Sequence, residues 1–513
     1  MSIRKTGAPL EGGSVTVPRR WWIYLLLLSL LLCLVWSSVA VSGNIRLDSD
    51  RMLHEKHTAL SQYREEGRFG LAFLLEILFP GEWNPWFSGG LFLLFFIASV
   101  WVLVISLWQA TEGRWPVYCY ALFFLLYGTS PVWAFQFYFT LQSAPVAFGM
   151  LLAAWTARMD IRLRAEISPS LFFRILWEIA ACLILVFLMS VYQSLILCYA
   201  AAAVMLLFCR LWGNSCITWK AVLFWLGRVV AALLLYILLA RTLRGGESPY
   251  MMGHIQWRTQ PVLTCLENIF LEFCKTIVMV HSGHFSLYLP GLVLLIILLV
   301  RRTRDPEKLL SHPGMLILTG ITLMLLPLAI SIMQGSRPVP RTQFALQVTS
   351  AFLPVFFLGE YRKSSRWLPA LCAAVVVLQS VLVVRLAYTD NQRNKQDLET
   401  AARISDDIAA QDASGMPLLF LGSLPFRDDS LLMEKTDVFG LSFFEWSWRE
   451  DSPSSAGFGA VRLLRAVGSE YYNLVLDPGT IDEAYARSAD MPAYPADGYL
   501  LRTDSCLIIK LSE

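Results

Sequence analysis

The chain has 513 residues, of which 56% are hydrophobic and only 16% charged, with a mean hydropathy of +0.54 and a formal net charge of +3. A soluble chain would carry about 25% charged residues, so an ordinary water-soluble fold is excluded. The basic residues sit in short stretches between apolar runs and leave no basic face for nucleic acid, and ten cysteines without a CxxC pair give no metal pattern.

A membrane span needs roughly 20 apolar residues, and on that scale about eleven segments qualify. They are 21–41, 89–109, 116–134, 138–157, 173–191, 194–212, 220–240, 285–300, 313–333, 344–360 and 367–388. Lys5, Arg19 and Arg20 precede the first, which reads as a signal anchor. Short cytoplasmic loops concentrate Lys and Arg. With residues 1–20 cytoplasmic, the inside loops hold Arg114, the group Arg158, Arg162, Arg164 and Arg174, and then Arg210 and Lys220. Further on they hold Arg301, Arg302, Arg304 and Lys308, and lastly Arg362, Lys363 and Arg366. The same count makes 21–388 a multi-span domain and places 42–88, 241–284 and the tail 389–513 outside.

Residues 261–280 could be taken for a twelfth span. Val262, Cys265, Leu266, Ile269, Phe270, Phe273 and Ile277 recur at helical spacing, but Glu267, Glu272 and Lys275 interrupt the run. That pattern predicts an amphipathic helix lying in the outer interface. Inside the spans charge is sparse, and Glu178 and Arg228 stand out, both near cytoplasmic ends. From Thr389 onward polar residues interleave with short apolar runs: Pro417–Leu421, Leu474–Leu476, Tyr499–Leu501 and Leu507–Leu511. Helices are predicted over Gln396–Ala410 and Phe458–Ala466. The expected architecture is a polytopic α-helical membrane protein with a small C-terminal extracytoplasmic α/β domain.

The largest cytoplasmic loop, 158–173, is too short for a nucleotide-binding domain, and neither GxxxxGK[ST] nor GxGxxG is present. An activated substrate would therefore be met outside or within the membrane, carried on a lipid. The first outer loop offers Asp48 and Asp50, followed by Arg51 and by Gly67-Arg68. Two neighbouring carboxylates supply a general base and a partner that tunes it. Arg51, Arg68, Arg337 and Arg341 could hold a departing phosphate, which the guanidinium fork suits. The bland alternative is a solvated turn, and Arg46, Glu55, Lys56, Glu65 and Glu66 read as wet surface. His54 with His57, and His281 with His284, lack a third ligand and read as solvent-facing. No cofactor is required, although an Asp-x-Asp pair is chemically compatible with Mg or Mn. Trp83 and Trp86 either stack on a sugar or mark the interface, and Tyr192 is an interfacial anchor or faces substrate.

Asp48-Ser-Asp50 with Gly67-Arg68-Phe69-Gly70 resembles the first-loop signature of the O-antigen-modifying, serotype-conversion membrane glucosyltransferases of the C-type glycosyltransferase superfamily. Tyr192-Gln193 is similar to that family's Tyr-Gln, Phe439-Gly-Leu-Ser442-Phe443-Phe444 to its Gly-x-Ser-Phe-Phe, and Tyr494-Pro-Ala-Asp-Gly498 to its closing pattern. The resemblance implies transfer of a sugar, typically glucose, from a polyprenyl phosphate to a surface glycan outside the bacterial inner membrane. It makes an acidic residue of the first loop the base and Tyr192 and Gln193 candidate substrate contacts, to which the aromatic ring of Trp83 adds a third on its own chemistry. Many members have adjacent acidic residues, whereas Ser49 separates the pair here. Arg51 beside Asp50 favours Asp50 as the ionised base, with Asp48 as the alternative. A transporter or flippase is the competing class, but no internal repeat of the kind such folds carry is visible.

Overall fold

The computed structural model describes residues 18–49, 56–165, 170–214, 217–243, 255–278, 287–304, 312–361, 366–413, 415–436, 438–446, 448, 452, 454–467 and 473–512. In chain order the helices begin with α1 (Arg19–Ala40), α2 (Lys56–Glu65), α3 (Phe69–Leu78), α4 (Pro85–Ala110), α5 (Val117–Gly128), α6 (Val132–Phe137), α7 (Thr140–Ala165) and α8 (Leu171–Val191). They continue with α9 (Leu195–Trp212), α10 (Trp219–Leu243), α11 (Val262–Val278), α12 (Tyr288–Arg304), α13 (Pro313–Leu325), α14 (Ala329–Gln334), α15 (Phe344–Glu360) and α16 (Trp367–Ala410). The tail adds β1 (Leu418–Leu421), α17 (Gly457–Val467), α18 (Pro478–Arg487), β2 (Leu500–Arg502) and β3 (Leu507–Lys510).

Each expected span contains helix, and among the described residues 7 helical stretches are long and apolar enough to cross a membrane. The protein is mostly helical and multi-pass. α1 shows why hydropathy finds such helices and periodicity does not. Leu25, Leu32 and Trp36 are buried against the bundle, while Leu26, Leu30 and Leu34 of the same helix are exposed. A helix apolar all round suits a lipid environment. Small residues set the approach of neighbouring helices: a Cβ on Gly89 of α4 would lie 1.8 Å from the carbonyl oxygen of Ala40 at the end of α1. α4 starts cleanly, with the Asn84 side chain accepting from the Phe87 amide at 2.9 Å and Pro85 at the first helical position.

Three expectations are corrected. The loop placed at 158–173 starts later, because α7 continues through Ala165 and buries Asp160. Arg228 of α10 donates to Asp160 Oδ1 at 2.9 Å and to Glu178 of α8 at 3.0 Å, while Trp177 and Tyr199 donate to the same aspartate at 2.9 and 2.6 Å. Four helices are thus tied at one buried charge cluster. Secondly, the span ending near 388 and the helix Gln396–Ala410 are one helix, the 44-residue α16. Residues 389–395 hold no Gly or Pro to stop it, and their polar side chains find buried partners described below. Thirdly, of Leu474–Leu476 only an isolated parallel bridge from Leu474 to Leu418 forms.

The tail is a small α/β unit. Its sheet has the order β1-β3-β2, with β1 parallel and β2 antiparallel to β3, and every residue of β1 and β3 is buried. α11 is amphipathic but carries its apolar side outward. Val262, Leu263, Leu266 and Phe270 are exposed, whereas Glu272 and Thr276 are buried.

Candidate active site

The segment after α1 forms a helical hairpin. Arg64 of α2 pairs with Glu76 of α3 at 2.5 Å, and Lys56 Nζ donates to the carbonyl oxygens of Phe79 and Gly81 at 2.6 and 2.8 Å. Ala59, Leu60, Tyr63, Leu71, Leu75 and Trp83 make its own small core, so Trp83 is a packed residue with 5% exposure. Gly67, at φ 78°, turns the chain at the hairpin tip. The next residues are pressed against the end of α8, since a Cβ on Gly70 would lie 2.1 Å from Ser190 Oγ.

That close approach brings two distant motifs together. The Arg68 guanidinium stands over the Tyr192 ring at 5.0 Å, with the Glu66 carboxylate 3.4 Å from Nη1. A guanidinium over an aromatic face is a partly desolvated cation still able to bind an anion. Gln193 donates to the Glu66 carbonyl and to the Tyr236 hydroxyl, both at 3.1 Å, and Tyr236 donates to the Gly67 carbonyl at 3.3 Å. Gln193 therefore clamps the hairpin tip.

The turn before α15 reaches the same place. Phe344 lies 5.9 Å from the Tyr192 ring and 5.5 Å from that of Trp133. Arg341 stands over Phe139 at 4.5 Å. Arg337 is exposed and acts electrostatically on Glu272 of α11, which accepts from Gln343 at 2.6 Å. The two arginines of this loop thus have different neighbours, Phe139 for Arg341 and the Glu272 carboxylate for Arg337.

Asp48 occupies a left-handed backbone conformation at φ 70°, uncommon for a non-glycine residue though more accessible to Asp than to most. Ser49 braces the turn, its buried hydroxyl accepting from the Arg46 amide at 2.9 Å and donating to the Arg46 carbonyl at 2.5 Å. Asp48 and Arg68 both act electrostatically on Tyr63. Burial pushes the Tyr63 hydroxyl up, the charge of Asp48 pushes it further, and Arg68 opposes both. Asp50, Arg51 and His54 lie outside the described residues, as do His281 and His284. His57 is exposed on α2.

Behind the Asp48 turn runs a buried ladder of alternating charge. Arg46 Nε donates to Asp390 Oδ2 at 2.6 Å, Arg393 to Asp390 Oδ1 at 2.7 Å, and Arg393 again to Asp397 at 3.2 Å. All four side chains are at most 3% exposed. Asn44 donates to Asp390 at 2.8 Å, and Arg393 donates to the Ile45 carbonyl at 3.0 Å, so α16 grips the loop that carries Asp48. At the far end the Ser442 hydroxyl and the Phe443 amide donate to Asp397 at 2.7 and 3.1 Å. The closing motif docks further along α16, where Arg403 donates to the Pro495 carbonyl at 3.2 Å and stands over Tyr494.

Arg46 and Glu66, expected at a wet surface, are 1% and 6% exposed. Asp390, Arg393 and Asp397 carry a visible signal, the i, i+3 and i, i+4 spacing of opposite charges on one helix face. The spacing does not say that Arg46 completes the set. Among the described residues no group of His, Cys, Asp and Glu is placed to hold a metal ion. A carboxylate beside guanidiniums mounted on aromatic rings can take a proton while an anionic leaving group departs.

The family described as Glucosyl transferase GtrII matches residues 37–358, from the end of α1 to α15, and stops short of α16. No curated protein matches. Among solved structures the chain is similar to arabinofuranosyltransferase AftD from Mycobacteria, at 14% identity and a TM-score of 0.39. That alignment covers 94% of this chain, which spans only 34% of the length of that one. It is also similar to ArnT from Cupriavidus metallidurans, solved with undecaprenyl phosphate bound, at 13% identity and a TM-score of 0.42, covering 96% of this chain and 98% of that one.

Proposed function

The chain belongs to the Glucosyl transferase GtrII family and is a membrane glycosyltransferase, and from that premise we propose that it moves glucose from a polyprenyl-phosphate donor to a surface glycan. In this reading the reaction takes place on the outer side of the bacterial inner membrane. Residues 1–20 are cytoplasmic, about eleven spans follow, α11 lies in the outer interface, and the tail 389–513 is outside.

An acceptor hydroxyl attacks the anomeric carbon while the bond from that carbon to the phosphate oxygen breaks. The hydroxyl proton passes to a carboxylate of the first loop, Asp50 or Asp48. The phosphate leaves on its lipid, its charge held by Arg68 and Arg341 and, in the sequence-based assignment, by Arg51 and Arg337 as well. The observation that supports this reading is the seating of Arg68, from the first loop, over the Tyr192 ring at the end of α8, with Asp48 and Arg68 both acting electrostatically on Tyr63.

The surface glycan of a strain lacking this protein, compared with its parent, tests the function. A missing glucose branch is the expected result; an unchanged glycan with impaired export of a lipid-linked intermediate would mean a flippase instead. Replacing the base with Asn should lower transfer by about 10²–10⁴-fold without loss of membrane insertion. Asp50→Asn and Asp48→Asn, measured separately, assign it, and full activity in both would remove the first loop from the chemistry. Reporter fusions at Ser364 and Ser454 should report opposite sides of the membrane, and matching signals would contradict the topology.

A further inference from the structure

Beside the arginine and aromatic arc lies a group of buried polar atoms without partners. Gln136 of α6 is 1% exposed, and neither its Nε2 nor its Oε1 makes a hydrogen bond. Gln343 and Gln347, both 3% exposed, each leave Oε1 without one, and the hydroxyls of Tyr138 and Thr140, next along the chain from Gln136, are likewise unpaired. Gln136 and Gln343 belong to elements that pack on each other. α6 packs on the turn Pro340–Thr342 that leads into α15, and Trp133 of α6 touches Phe344. Gln343 caps the start of α15 and Gln347 lies in its first turn. Glu272 fixes Gln343 through its Nε2, which leaves Oε1 as the available end.

Leaving a buried amide unsatisfied costs about 1–3 kcal/mol, and native proteins hold few such groups without a reason. Several on adjoining elements, with Arg341 two residues before Gln343 and Tyr192 against Phe344 just after it, call for a partner rich in hydroxyls. Each hydroxyl of a sugar both donates and accepts, and a carboxamide can answer both functions. Phosphate needs donors only, so it would satisfy Gln136 Nε2 and leave three amide oxygens unanswered.

We infer that Gln136, Gln343 and Gln347 form the site that takes the ring hydroxyls of the hexose being transferred, and so determine which sugar is used. The inference rests on the glycosyltransferase reading above and assigns the part of that site next to the phosphate-binding arginines. Among the described residues no protein group pairs these carboxamide oxygens, so a sugar of the right stereochemistry can pair them on binding. A site built to pair a substrate hydroxyl also rejects an epimer that points it elsewhere.

The test uses the full chain in lipid nanodiscs, with polyprenyl-phosphate glucose and the corresponding galactose epimer as donors. Gln136→Met and Gln347→Met keep side-chain volume and remove the amide. Each should lower kcat/KM for the glucose donor about tenfold and shrink the glucose-to-galactose preference by a similar factor, the value of one good hydrogen bond. The Tm of each should stay level or rise, because an unsatisfied buried amide has been removed. An unchanged preference with unchanged kcat/KM would overturn the inference, since the amides would then face only water. A fall in Tm with activity lost in proportion to folded protein would overturn it too, making the glutamines structural. If the unaltered protein uses no lipid-linked hexose, the transferase reading fails and takes this inference with it.

Discussion

Two buried polar regions meet near the Asp48 turn and are built on opposite plans. In the ladder Arg46–Asp390–Arg393–Asp397, both carboxylates have both oxygens engaged, and two cations balance two anions. At Gln136, Gln343 and Gln347 burial is just as deep, but no protein group among the described residues matches the amide oxygens. Folding alone accounts for the first, because a buried charge is tolerated only when paired. It does not account for the second. The contrast separates what holds the site in place from what the site is for.

Breaking the ladder should have the largest effect. Arg393→Met leaves Asp390 and Asp397 buried with one cation between them, and removing one partner of a buried set costs about 3–5 kcal/mol. Thermal unfolding in nanodiscs should show that loss, whereas Gln136→Met should not destabilise. Equal destabilisation by the two would erase the contrast. Next comes the close approach that mounts Arg68 on Tyr192. Gly70→Ala drives a Cβ to within 2.1 Å of Ser190 Oγ, and overpacking costs about 1–3 kcal/mol. Transfer should fall with it, and adding Ser190→Ala should restore part of both. No recovery would mean that Arg68 is positioned by other contacts.

Ser442→Ala takes one of several acceptor contacts from Asp397, and about 1 kcal/mol is expected from one hydrogen bond. The smallest effect belongs to the outer surface of the same helix. Lys395 and Glu399 are 70% and 68% exposed at 3.9 Å, and Lys395→Ala should change stability by less than about 0.5 kcal/mol. A larger change there would show that burial does not separate these pairs.

The helical bundle was legible because lipid-facing helices announce themselves by composition, with no partner to be guessed. The site was legible in part. Arg68, Tyr192 and Gln193, singled out from separate motifs, are brought together only by the fold, which also gives Arg341 and Arg337, alike in sequence, different neighbours. Arg46 read as solvated because a charge in a loop gives no sign that its partner lies 344 residues further on. Asp160 was hidden by a helix that runs past its apolar stretch. The continuity of α16 was hidden because its polar middle resembles a linker until Arg46, Asn44 and Ser442 are brought to it. Unpartnered amides cannot be read from sequence at all, since being unpartnered is a property of the packed state.

The most direct measurement is sugar transfer by the purified full chain in nanodiscs, with radiolabelled glucose supplied either on polyprenyl phosphate or on a nucleotide. Label should reach the acceptor glycan from the lipid-linked donor alone, and the Asp48→Asn, Asp50→Asn double variant should abolish it. Transfer from the nucleotide donor without lipid, or undiminished transfer by the double variant, would contradict the account.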